Sequence, residues 1–226
     1  MRGRHLISAV VWIACLMLIA GGRWAYAQEE KADTTQEGEQ ETVAVPGTGE
    51  GEPEDIGLEP GDEAPKFALR DLEGNYELLT KWSGVRLSRP ASQPVRHVVV
   101  ASFFATWCAP CMKELPHLQN LYEKYAGQDV KFFLIDITEA TRTVEGYENS
   151  PPAGPFLKKK GITVPVLQDV YGMTKKSYGV DTLPRLFIID KLRRVRLVKQ
   201  GFHEGEDFEG ELAGVIDELL TEELQE

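Results

Sequence analysis

Cysteine is scarce in this chain. There are three in 226 residues, Cys15, Cys108 and Cys111, which excludes a scaffold stapled by several disulfides. Histidine is scarce too. His5, His97, His117 and His203 are scattered, so no second ligand pair stands ready to complete a zinc site and no metal is expected. Basic excess is missing: 25 Lys and Arg face 36 Asp and Glu, a formal net charge of −11. Without surplus cations to neutralise phosphates, nucleic acid is not an expected partner. The apolar stretch from Leu6 to Ala20, interrupted by Ser8, falls short of the roughly 20 residues a spanning helix wants.

That short stretch reads instead as a secretory signal over residues 1–27. Arg2 and Arg4 precede it, and Ala25-Tyr26-Ala27 offers a small-residue cleavage site before Gln28. A retained anchor is the competing reading, and only then would the membrane be a partner. Trp12-Ile13-Ala14-Cys15 makes a poor lipidation signal, since apolar sequence continues past it. Residues 28–60 carry eleven acids, one base and no aromatic residue. Such a segment cannot bury enough apolar surface to offset its ordering entropy, so a disordered acidic linker is expected. A solvated spacer is favoured over an acidic docking tail. Residues 61–226 then form a single domain.

Within that domain the informative stretch is Val98 to Pro116. An apolar run of strand character, Val98–Phe104, leads through Ala105-Thr106-Trp107 into Cys108-Ala109-Pro110-Cys111, where a helical pattern begins. A cysteine at a helix start meets free N–H groups and the positive dipole end, both of which favour thiolate. A spacing of three puts Cys111 one turn on, within reach of a disulfide. Pro110 falls in the first turn, where its missing N–H costs little. The pattern suits a redox dithiol better than half a zinc site.

The segment FFATWCAPCMKELP resembles the TlpA/ResA-type extracytoplasmic thiol-disulfide oxidoreductases of the thioredoxin-like superfamily. The likeness runs over about residues 61–205. A second matching stretch, Leu183-Pro184-Arg185-Leu186-Phe187-Ile188-Ile189-Asp190, is similar to the family's cis-proline loop and following strand. The resemblance implies an α/β thioredoxin-like fold: a central mixed sheet flanked by helices, an N-terminal hairpin and a central helical insertion. Phe67–Arg70 and Tyr76–Leu79 suit the hairpin, with turn residues between them. Residues 85–96 form a long loop to which no function is assigned. The segment 138–161 carries the insertion, ending in a helix that reaches Lys160. Leu186–Ile189 and Arg194–Lys199 read as an antiparallel pair, and Phe208–Leu224 as a closing amphipathic helix. About five core strands are expected.

The resemblance also implies roles. Cys108 is the exposed nucleophile and Cys111 the resolving thiol. Thioredoxin has an acid six residues before the first cysteine, but this chain has Ser102 there, which leaves Glu114 as the candidate acid. Glu114 reads either as that acid or as an exposed glutamate favoured by the helix dipole. Trp107 shields the dithiol and helps dock the partner, or simply packs. Pro184 exposes backbone to a substrate strand. Arg185 replaces a small residue common there, and either adds positive charge near the thiols or points to solvent. No cofactor is expected. The implied partners are a protein disulfide substrate and an upstream membrane electron donor, and the chain is read as a monomer. Two alternatives stand beside this reading. A peroxiredoxin-like peroxidase lacks its required proline before Cys108, and a copper-delivery protein wants Cys and His at other spacings.

Overall fold

The structure is a computed structural model, and it describes residues 57–88 and 95–223. The signal reading for 1–27, most of the linker and positions 89–94 of the long loop lie outside the described residues. Leu58, late in the expected linker, packs against the core. Among the described residues no helix is long and apolar enough to cross a membrane.

One seven-stranded sheet organises the domain. Strands β1 (Ala68–Asp71) and β2 (Tyr76–Leu78) form the hairpin, closed by Asp71, whose Oδ1 accepts the N–H groups of Glu73 and Asn75. β3 (Val98–Phe104), β4 (Val130–Asp136), β5 (Val166–Gln168), β6 (Arg185–Ile189) and β7 (Val195–Gln200) follow. The spatial order is β2-β1-β5-β4-β3-β6-β7. Five strands thus make the core expected from sequence, and the hairpin extends it through an antiparallel β1–β5 contact. β3 pairs parallel with β4 and antiparallel with β6. It is buried along its whole length, as its unbroken apolar run requires of a strand covered on both faces.

Among the described residues four α-helices flank the sheet: α1 (Ala109–Lys124), α2 (Ala153–Lys159), α3 (Met173–Ser177) and α4 (Phe208–Thr221). α1 and α4 lie together on the face that carries Ser102. Tyr125 at the end of α1 donates its hydroxyl to Asp217 at 2.7 Å and stacks toward Phe132. The opposite face holds an aromatic cluster of Phe67, Phe103, Phe133, Tyr178 and Phe187. Burying each such ring is worth about 1.5–3 kcal/mol. Tyr178 is fully buried, yet its hydroxyl reaches the Pro65 carbonyl at 2.8 Å, so its polar end is satisfied.

The turn between β6 and β7 lacks the glycine such a turn favours. Arg193 takes the left-handed conformation instead, at φ 71°, which costs a non-glycine residue about 1–2 kcal/mol. Asp190 offsets this by accepting the N–H groups of Leu192 and Arg194 through Oδ1. The Arg193 guanidinium also donates to the Ala64 carbonyl at 2.8 Å and pairs with Glu63.

Candidate active site

β3 delivers the chain to the C-terminal edge of the sheet, and a short loop passes it into α1. Cys108 is the N-cap of that helix and Pro110 lies in its first turn. Cys108 Sγ accepts the backbone N–H of Cys111 at 3.2 Å, so the sulfur occupies the position of a capping oxygen. This is where a thiolate gains from unpaired helix donors. Cys108 and Cys111 are joined as a disulfide, with Cα atoms 5.3 Å apart. The expectation of an exposed Cys108 needs correcting for this oxidised state, in which Cys108 is 3% exposed and Cys111 1%. Cys111 sits on the buried stripe of α1.

The loop before the dithiol is held from several sides. Thr106 N–H donates to Thr138 Oγ1 at 3.1 Å, and Thr106 Oγ1 donates to the Pro151 carbonyl at 2.8 Å. Thr138 in turn donates to Asp136, a carboxyl that burial pushes above its ordinary range. Trp107 donates its indole N–H to Thr141 at 2.9 Å and stacks on Tyr147, with ring centroids 4.0 Å apart and planes 7° apart. Trp107 is therefore packed, half-buried, against the insertion. Sequence reasoning missed Thr138, Thr141 and Tyr147, because contacts spanning thirty to forty residues leave no local signal.

Glu114 is not an exposed dipole partner. It is 2% exposed and accepts the Ser102 hydroxyl at 2.8 Å. Burial pushes its carboxyl up to about 8, against the weaker opposing pulls of the Ser102 hydroxyl and the positive charge of Lys199. A carboxyl in that range is mostly neutral at pH 7 and can exchange a proton with a thiol of similar pKa. Ser102, in the place of the acid that thioredoxin carries, thus holds a buried carboxyl by hydrogen bond.

Pro184 follows a cis peptide bond, as the resemblance implied. Pairing of Phe103 with Arg185 sets this loop at the end of the sheet from which the dithiol loop departs. Arg185 does not point to solvent. It opens a central strand whose five residues are all buried, and it is itself 9% exposed. One guanidinium nitrogen, Nη1, donates to Gln200 Oε1, and the buried Nε has no partner.

This architecture has known counterparts. The Redoxin family model matches residues 59–215. A thiol-disulfide oxidoreductase ResA from Geobacillus thermodenitrificans is 31% identical over 155 residues, which is 69% of this chain and 77% of the relative. This chain belongs to the Redoxin family, among the TlpA/ResA-type thiol-disulfide oxidoreductases. The ResA protein of Bacillus anthracis is 32% identical over 152 residues, 67% of this oxidoreductase and 76% of that protein. Among solved structures, a Chlorobium tepidum protein bearing the name thiol:disulfide interchange protein DsbE superposes with a TM-score of 0.56 at 26% identity. The superposition covers 72% of this oxidoreductase and 99% of the DsbE chain. With these kin, the helix-capping Cys108–Cys111 pair is the redox centre of a thiol-disulfide oxidoreductase.

Proposed function

We propose that this oxidoreductase reduces specific protein disulfides outside the cytoplasm. The reading rests on one observation above all: Cys108 and Cys111 are joined at the start of α1, and one backbone N–H, from Cys111, reaches the first sulfur. A thiolate met by few donors is weakly stabilised, and so is the reduced form, which lowers the potential and favours giving electrons away. The reduced Cys108 thiolate attacks a client disulfide, forming a mixed disulfide and releasing one client thiolate. Cys111 loses its proton and attacks Cys108, the client leaves as a dithiol, and the pair is oxidised by two electrons. Glu114, held by Ser102, takes the Cys111 proton in its ionised form and returns it when the pair is reduced again. Trp107 and Pro184 shape the surface where the client strand docks. A membrane electron donor restores the dithiol, residues 1–27 serve as the export signal, and the domain acts as a monomer.

Cys108→Ser should abolish exchange, and Cys111→Ser should accumulate a mixed disulfide whose client can be identified. Equilibration of the wild-type protein with glutathione buffers decides the direction. A potential near the oxidant end of the protein range, about −120 mV, would sink the reductant reading. Amino-terminal sequencing that finds residues 1–27 retained would replace export with anchoring.

A further inference from the structure

Arg185 poses a problem that the reaction so far leaves unused. A guanidinium cannot shed its proton to escape burial, and a buried charge is normally paired. Among the described residues Arg185 forms no ion pair and makes one hydrogen bond, from Nη1 to the Gln200 amide oxygen. Gln200 is itself anchored, since its amide nitrogen donates to Thr182 at 2.6 Å. This arrangement fixes the plane of the guanidinium and leaves its other edge bare. Nε and Nη2 form the side-on fork that takes both oxygens of a carboxylate. Nε is shut off from water and has no partner, so solvent does not satisfy it. Arg185 follows the cis peptide at Pro184 and opposes Phe103, five residues before Cys108. The bare fork therefore lies beside the surface where a client strand is read.

We propose that Arg185 is a specificity-determining residue that receives a carboxylate side chain of the client close to its reactive disulfide. This rests on the reading that the protein exchanges disulfides with client chains. Docking requires the Arg185 side chain to shift, because Nε is shut off from solvent. Once seated, the acidic group would satisfy both free donors and neutralise the charge. Clients with Asp or Glu flanking the disulfide are then preferred over neutral or basic ones.

Two synthetic peptides test this, each with one internal disulfide and differing only in a flanking Glu or Gln. The full reduced protein should reduce the Glu peptide with a kcat/KM about tenfold higher, equivalent to about 1.4 kcal/mol. The gain should fall mainly on KM, since the contact is made before the chemistry. In Arg185→Gln the ratio should drop to about one, and Arg185→Lys should restore part of it. A wild-type ratio near one overturns the proposal whether or not the variants fold. A tenfold ratio that survives in Arg185→Gln assigns the preference elsewhere and overturns it equally. Failure to reduce either peptide removes the client-reductase reading and this proposal with it.

Discussion

Glu114 and Arg185 sit at the same end of the sheet, on opposite faces, and they meet burial in opposite ways. Ser102 and Phe103 are neighbours in β3, so their side chains leave by different faces. Glu114 is bonded to the first, and Arg185 shares the register position of the second. Each has one neutral hydrogen-bonding partner. The carboxyl answers its low-dielectric site by keeping its proton up to about pH 8. The guanidinium has no such exit. A buried acid can thus stand without a counterion and serve as a proton store, whereas a buried arginine without one holds an unmet demand for an anion. The two residues look alike by exposure, yet burial acts on them in opposite ways.

Several measurements would break or sharpen that contrast. The largest effect should come from pH. The Glu114 pKa is higher in the folded protein than in the unfolded chain, so the native state binds the extra proton between about pH 4.5 and 8. Stability is full below the lower value and falls as pH rises through the upper one, by up to about 5 kcal/mol. Urea unfolding of the oxidised protein at several pH values should show that decline. Glu114→Gln should flatten it and exceed the wild type at pH 8. An equal decline in both proteins would mean that Glu114 is not the buried proton store.

Gln200→Ala comes next. It removes the hydrogen bond that Arg185 makes and should destabilise by about 1–3 kcal/mol at all pH values from 5 to 9. Pronounced pH dependence of that loss would contradict the assignment of a permanently charged partner. Arg185→Met should have a smaller effect of opposite sign. Replacing an unpaired buried cation by an apolar chain of similar length should leave stability unchanged or raise it by about 1 kcal/mol. A loss above about 2 kcal/mol would show that the guanidinium is a structural element after all. Ser102→Ala is the subtlest. Losing the donor to Glu114 removes an interaction that favours the anion, so the pH at which stability falls should move upward, with a change of about 1 kcal/mol. A downward move would reverse the direction of that hydrogen bond.

Much of this was legible in the chain, and the omissions have physical causes. The strand–loop–CxxC–helix order needed only local periodicity, and β3, α1 and α4 lie where their apolar spacing puts them. Glu114 was legible as a candidate but not as a buried one. The apolar stripe of α1 runs through Leu115, Leu118, Leu121, Tyr122 and Tyr125, and extending it back one turn places Glu114 beside Cys111 on that stripe. Gln119, within the same stripe, is also buried and bridges to Thr163. Arg185 was open to a reading in solvent because alternation within one strand cannot reveal that the strand is central. Only the β3-β6-β7 order shows that. The Trp107–Tyr147 stack joins segments forty residues apart and had no counterpart in local pattern.

The hairpin at the start of the domain has a consequence for behaviour among unfolded chains. Without it, β5, three residues long and carrying apolar Val166 and Leu167, would form one border of the sheet. β1 covers that border, and the outermost strand becomes the three-residue β2, too short to template another chain. The far border, β7, carries Arg196 and Lys199, both engaged in ion pairs with α4 or its flanks. Short and charged borders resist edge-to-edge association. A thiol-disulfide oxidoreductase with borders of this kind avoids recruiting protein substrates along the sides of its sheet.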